Sequence, residues 1–271
     1  MQVSVPDVSS KSLAQLVSLS GRRAVVTGAS QGLGRAIAER LTEAGADVLV
    51  ADIRDELATA VAEDLSSRGQ GRALAAHLDV TDPDSVVAAA DLAVQELGGI
   101  DIWVNNAGIF PSVSALEMSG KAFDDVFAVN TRGVFLGSRE AARRMSEAGQ
   151  GGVIVNVVST AGFRGTAPGL AAYVGSKHAT RGLTSQLALE FAPFGIRVLG
   201  VAPTFVPTEG NLAMAAEAGV DSETIMSVMQ PGPLGRLGVP DDVARVVLFC
   251  ASDLSAFMTG STLLADAGET A

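Results

Sequence analysis

The stretch Thr27-Gly28-Ala29-Ser30-Gln31-Gly32-Leu33-Gly34 decides the fold. It follows a short apolar run, Arg23–Thr27, and opens a segment of helical period, Leu33–Ala44. Gly45 lies just past that segment, where a left-handed residue is wanted. Glycines at 28, 32 and 34 let the backbone approach an anion, and a helix start offers it unpaired N–H groups. The spacing is G-x-x-x-G-x-G, not the commoner G-x-G-x-x-G. A glycine-rich turn without a ligand has the same composition; the position between a first strand and its helix favours phosphate binding.

Working outward, apolar runs alternate with helical segments along the whole chain. Arg23–Thr27, Asp47–Ala51, Ala73–Leu78, Ile100–Asn105, Gly152–Val158, Arg197–Ala202 and Ser261–Ala265 read as strands. Leu33–Ala44, Asp55–Ser67, Pro83–Leu97, Ala122–Glu147, Ala171–Phe191 and Pro240–Ala251 read as helices. Repeated strand–helix–strand units predict an α/β fold, a doubly wound sheet of parallel strands with helices on both faces. Its ligand crevice would lie beyond the C-terminal ends of the strands. The expected division is an N-terminal arm over 1–18 and one catalytic domain over 19–271. Within Pro203–Pro233, apolar in patches and free of strong periodicity, a substrate lid is expected at about 204–230.

Composition excludes several classes. At 271 residues the chain can bury a core without disulfides or metals. Its net charge of −11 repels phosphate backbones, so no nucleic-acid partner is expected. No apolar run reaches the ~18–20 residues of a membrane span, and Met1–Leu19 does not read as a signal peptide. The single cysteine, Cys250, cannot form an internal disulfide, which points to a reducing, cytoplasmic setting. His77, His178 and Cys250 offer no metal constellation, and no metal is expected.

Candidate chemistry gathers at strand ends. Asp52 closes the second strand, where a carboxylate can accept both hydroxyls of a ribose or simply cap the next helix. Asp79 and Val80 follow the third, where Asp79 also reads as a turn residue. Asn106-Ala107-Gly108 follow the fourth and suit either a cofactor or a tight turn. Ser159 ends the fifth. Tyr173, the only tyrosine, and Lys177 are i and i+4 on one helical face, a spacing that surface pairs share. An ammonium ~4 Å from a phenol is worth ~4 kcal/mol at an effective dielectric of ~20. That is ~3 pKa units, enough to bring a group of ordinary pKa ~10 near neutrality for proton transfer.

Taken together, these motifs resemble the short, single-domain branch of the short-chain dehydrogenase/reductases, from about Leu19 to Gly268. The resemblance implies a Rossmann-type sheet of seven strands and a nicotinamide cofactor. Gly28, Ser30, Gln31, Gly32, Leu33 and Gly34 would hold its pyrophosphate, Asp52 its ribose, and Asp79 with Val80 its adenine. Asn106, Ala107 and Gly108 would lie against it, with Pro203, Val206 and Thr208 near the nicotinamide. Asn130, Ser159, Tyr173 and Lys177 would be the catalytic set: Tyr173 the acid/base, Lys177 its tuner and a ribose ligand, Ser159 the substrate's hydrogen-bond partner, Asn130 the anchor of a relay water. Gly235-Arg236-Leu237-Gly238-x-Pro240 and Thr259-Gly260 also match. Two positions depart: Pro203-Thr204 replaces Pro-Gly, and Asp266-Ala267-Gly268 replaces Asp-Gly-Gly. The second is expected to matter little.

The expected reaction is therefore reversible hydride transfer between NAD(H) and a secondary alcohol or ketone. Asp52 would oppose the 2′-phosphate of NADP, and Gln31 stands where an NADP-binding cation is often found; Arg54 is the dissenting residue. Phe110, Phe163, Phe205 and Leu212, with Ile109, Thr160 and Met214, are expected to line an apolar substrate pocket lacking a cation for a carboxylate or phosphate. The resemblance also implies a homotetramer paired through Ala122–Glu147, Ala171–Phe191 and the last strand. The alternatives are a reductase of 3-oxoacyl thioesters, which a basic docking surface would favour, and a non-catalytic cofactor-sensing Rossmann protein.

Overall fold

The computed structural model describes residues 6–217 and 231–271. Its strands are β1 (Arg23–Thr27), β2 (Asp47–Asp52), β3 (Ala73–His77), β4 (Ile102–Asn105), β5 (Gly152–Val157), β6 (Ile196–Pro203) and β7 (Thr262–Ala265). They form one seven-stranded sheet in the order β3-β2-β1-β4-β5-β6-β7, with parallel pairing throughout. The order reverses between β1 and β4, so a crevice opens above their C-terminal ends.

Among the described residues the helices are α1 (Leu13–Val17), α2 (Gly32–Glu43), α3 (Asp55–Ser67), α4 (Pro83–Leu97), α5 (Gly120–Phe127), α6 (Val134–Ala148), α7 (Ala171–Phe191), α8 (Glu209–Glu217) and α9 (Pro240–Ala251). Strand side chains alternate between two buried layers. Ala24, Val26, Val48 and Val50 pack with Ile37 and Leu41 of α2, Val61 of α3 and Val247 of α9. Val25, Leu49 and Trp103 pack with Ala90 of α4, Met145 of α6 and Leu187 of α7. Both faces of the sheet are thus covered, which is why its strands read as continuous apolar runs.

Three features depart from the expected layout. The single helix expected over Ala122–Glu147 is α5 and α6 joined by a π-helical turn, Ala128–Gly133, which carries Asn130. The arm contains α1, closed by a capping box in which Ser12 accepts from Gln15 N and the Gln15 side chain accepts from Ser12 N. The expected lid is irregular over 204–208 and then forms α8; residues 218–230, with Met226 and Met229, lie outside the described residues. No described helix is long and apolar enough to cross a membrane.

Candidate active site

The crevice above the switch point encloses about 1130 Å³. Gly28, Gln31, Gly32, Leu33 and Gly34 form its floor at one end, beside Asp52, Asp79 and Val80. Gly28 and Gly32 take left-handed φ of 64° and 56°. A Cβ on Gly34 would lie 2.1 Å from the Gly28 carbonyl oxygen, so only glycine lets α2 begin this close to β1. Gln31, at the N-cap of α2, makes no side-chain capping bond, and no acid stands in the first turn. The helix start therefore keeps free donors and a positive dipole end, which fit a pyrophosphate.

Asp52 is 3% exposed. It accepts from Ser30 N at 3.1 Å and from Arg54 N and Nε at 3.0 and 3.2 Å, while Arg54 Nη2 donates to Ser30 Oγ at 2.8 Å. Burial pushes its carboxyl up, but these bonds outweigh it and hold the pKa below the ordinary value. Arg54, the dissenting cation, is thus tied to Asp52. Ser30 sits behind the wall in this network rather than in the crevice lining. Asp79 uses one carboxylate oxygen to accept from Thr81 N and Oγ1 at 2.8 and 2.7 Å, so the turn role and the place beside the crevice coexist.

Asn106 has a structural task. Its Nδ2 donates to the carbonyls of Thr27 and Gly28 at 2.9 and 3.0 Å, and Thr27 Oγ1 accepts from the N–H groups of Asn106 and Ala107 at 3.0 Å. The loop after β4 is thereby stitched to the glycine loop after β1. Asn130, fully buried, clamps the same loop further on: Oδ1 accepts from Ile109 N at 2.9 Å and Nδ2 donates to Ile109 O at 2.8 Å. Nδ2 also donates to Ser176 Oγ, and the Asn130 carbonyl accepts from Thr180 Oγ1 at 2.7 Å.

At the crevice centre stand Ser159, Tyr173 and Lys177. Ser159 Oγ accepts from Ala161 N at 3.1 Å, capping a short 3-10 turn, which leaves its own proton to donate. Lys177 is buried and donates to the Val157 carbonyl at 2.8 Å. Its Nζ lies 5.7 Å from the centroid of the Tyr173 ring, which meets Phe110 edge-on at 5.9 Å. The expected near-neutral phenol is not found. Burial pushes the Tyr173 phenol above its ordinary value, with the Ser159 hydroxyl pulling against it, and burial draws Lys177 down to about 8. Desolvation outweighs the Ser159 hydrogen bond at Tyr173 and acts alone at Lys177, because a charge is costly in this dry site.

The other end is lined by Ile109, Phe110, Thr160, Leu170, Thr204 and Phe205. Pro203, Val206 and Thr208 also border the crevice. Phe163 and Leu212 do not: the Phe163 ring instead lies under the Arg181 guanidinium at 4.0 Å, and Leu212 turns with the first residues of α8. The Met214 side chain lies outside the described residues. Unforeseen is the C-terminal tail, whose Asp266–Glu269 contribute to the same wall. Glu269 accepts from Thr204 Oγ1 and pairs with Arg164 at 2.6 Å. Ala267, expected to be of little consequence, holds a left-handed φ of 53°, the one positive φ of a non-glycine among the described residues. No group of three His, Cys, Asp or Glu suited to a metal occurs among the described residues.

Residues 28–270 match the sequence profile of a family described as enoyl-(acyl carrier protein) reductase. The chain belongs to the short-chain dehydrogenase/reductase family. It is 36% identical over 253 residues to 3beta-hydroxysteroid dehydrogenase 2 of Eggerthella lenta, covering 92% of this chain and 95% of that one. It is 35% identical over 252 residues to the 3-oxoacyl-[acyl-carrier-protein] reductase FabG of Aquifex aeolicus, covering 93% and 98%. A short-chain type dehydrogenase/reductase from Mycobacterium marinum superposes with a TM-score of 0.85 at 37% identity, covering 96% and 99%. As a short-chain dehydrogenase/reductase the chain is an oxidoreductase, a family that in general uses a nicotinamide cofactor.

Proposed function

We propose that this short-chain dehydrogenase/reductase interconverts a neutral secondary alcohol and its ketone with NAD(H), in one catalytic domain over 19–271 bordered by a lid at about 204–230. One observation carries the reading: Tyr173, Ser159 and Lys177 line the same crevice as the glycine loop and Asp52. When bound, the nicotinamide supplies the hydride acceptor or donor. The N–H groups at the start of α2 bind the pyrophosphate, Asp52 accepts from the ribose hydroxyls, and Asp79 and Val80 flank the adenine. Ala107 and Gly108, with Pro203, Val206 and Thr208, border the nicotinamide end. Lys177 donates to the ribose. Ser159 turns its hydroxyl proton to the substrate oxygen as a hydrogen bond. In oxidation the Tyr173 phenolate takes the hydroxyl proton as hydride leaves the carbon; in reduction the phenol returns it. Asn130 holds the loop that carries Ile109, one wall of the substrate end, and its relay water is part of this proposal.

The name of the Eggerthella relative, a hydroxysteroid dehydrogenase, agrees with a neutral cyclic alcohol. The name of the Aquifex relative keeps thioester reduction as the second reading; the net charge of −11 disfavours the basic docking surface it would use. The test is kcat/KM with NAD and NADP on a neutral secondary alcohol, in wild type and Asp52→Ala. A ~10–10³-fold preference for NAD, reduced in the variant, is expected from a net penalty of ~1.4–4 kcal/mol against the 2′-phosphate. Equal or better use of NADP by wild type refutes the role of Asp52.

A homotetramer is part of the proposal, as is a cytoplasmic setting. Phe123 of α5, Phe135 of α6, Leu189 of α7 and Leu264 of β7 are exposed apolar groups on the elements through which copies would pair. Light scattering at micromolar concentration is expected to give a tetramer, and a monomer overturns this part.

A further inference from the structure

At the substrate end two donors converge on one carboxylate: Thr204, which lines the crevice, and Arg164, which stands half-exposed just outside the lining, behind Glu269. Arg164 Nη2 donates to Glu269 Oε1 at 2.6 Å, and Thr204 Oγ1 donates to Glu269 Oε2. The three residues come from distant parts of the chain. Arg164 follows the turn that begins at Ser159, Thr204 follows the last residue of β6, and Glu269 lies beyond β7. Thr204 and Glu269 line the crevice together with Ser159 and Tyr173. A guanidinium and a hydroxyl aimed at the two oxygens of one carboxylate are the donor set that a carboxylated ligand would require.

Glu269 reaches this position on a tail that is itself built. Asp266 accepts from Gly268 N, Thr270 N and Thr270 Oγ1 at 3.1, 2.9 and 2.6 Å, and Glu269 N donates to the Asp266 carbonyl at 3.0 Å. The tail also packs on the segment that includes Gly232 and Pro233: Leu234 N donates to the Ala267 carbonyl at 3.3 Å. A carboxylate tethered this way competes as an intramolecular ligand, at an effective concentration in the ~mM range or above. An external carboxylate must displace it and leave Glu269 without its partners.

We propose that Arg164 and Thr204 form a carboxylate-binding subsite that Glu269 of the same chain occupies. The occupied subsite restricts the crevice to neutral substrates, and removing the Glu269 carboxylate opens it to a hydroxy acid. The substrate consequence rests on the reading of the crevice as an alcohol/ketone site; the subsite itself does not.

Two measurements separate these. Thermal unfolding is followed in acetate and in chloride of equal ionic strength for wild type, Glu269→Ala and Arg164→Ala/Glu269→Ala. About 50 mM acetate is expected to raise the Tm of Glu269→Ala by ~2 °C or more over chloride, and of the other two by less than ~0.5 °C. Glu269→Gln, which keeps the side-chain volume, serves if the alanine variant does not fold, and is expected to respond in the same direction. An acetate effect absent from the single variants, or equal in the double variant, overturns the subsite. In turnover, kcat/KM for 3-hydroxybutyrate relative to 2-butanol is expected to rise ~10-fold or more on Glu269→Ala. A ratio unchanged within about twofold overturns the specificity role. Absence of turnover with every alcohol counts against the proposed function, and the acetate comparison still decides the subsite.

Discussion

Two carboxylates face the same crevice, and each is held by an arginine and a neighbour bearing a hydroxyl. At the cofactor end Asp52 accepts from Ser30 and Arg54; at the substrate end Glu269 accepts from Thr204 and Arg164. The resemblance stops there. The Asp52 side chain is 3% exposed and its partners lie 22 and 2 residues away. Glu269 is 35% exposed and its partners lie 65 and 105 residues away. The first carboxylate is part of the sheet's own architecture, placed by a strand end and the adjoining glycine turn. The second is brought in by a tail, stays in reach of water, and is screened by it. A fixed charge suits a cofactor that every turnover uses, and an exchangeable one suits control over which substrates enter.

Two glycine substitutions break that comparison at its two ends. Gly34→Ala sets a Cβ 2.1 Å from the Gly28 carbonyl, a backbone atom that cannot rotate away. Dinucleotide affinity is expected to fall ~100-fold or more, about 2.7 kcal/mol, measured by calorimetric titration. Gly232→Ala meets Ala267 Cβ and O at 3.0 Å and Asp266 O at 3.3 Å, all on the tail. It is expected to change KM for the alcohol by less than about tenfold and leave cofactor affinity within about twofold, since a tail shift relieves the contact. A larger loss of cofactor from the second variant than from the first would erase the distinction between a fixed end and an adjustable one.

Between the two ends, Tyr173 reports on both. It is the only tyrosine, so tyrosinate absorbance reads it alone. Burial raises its pKa, so in the free protein tyrosinate is expected only above pH ~10, the ordinary phenol value. Oxidation needs the phenolate; its kcat/KM should therefore rise with pH through the alkaline range, and that for reduction should fall. Tyrosinate at neutral pH in the free protein, or a flat oxidation profile where chemistry limits the rate, would contradict this assignment.

The sheet was legible because its signals are local. An apolar run, a glycine loop and a helix start at Thr27–Gly34 fix one strand–helix unit, and its repetition fixes the rest. Asp52 and the Tyr173–Lys177 pair were legible for the same reason: a strand end and an i,i+4 spacing are short-range facts. The π-helical turn at Asn130 was not, because its extra residue per turn leaves no compositional mark. Nor were the bonds by which Ser30 and Asn106 tie loops together, which depend on side-chain rotation after the loops meet. Phe163 stands four residues past Ser159, yet the cation of Arg181 takes its ring. Arg164 and Glu269 were invisible for the plainest reason: only the finished fold brings them together. Arg164 stands outside the crevice lining, and Glu269, which lines it, matches its charge.

Tyr173 is the group that moves the proton in the proposed reaction, and Tyr173→Phe tests this most directly, since Phe keeps the ring and removes only the oxygen. Steady-state oxidation of a neutral secondary alcohol is measured alongside NAD binding by calorimetry. The expected result is cofactor affinity within about twofold of wild type and turnover lower by ~10²–10⁴. Turnover within about tenfold of wild type, with the cofactor still bound, would contradict that role of Tyr173.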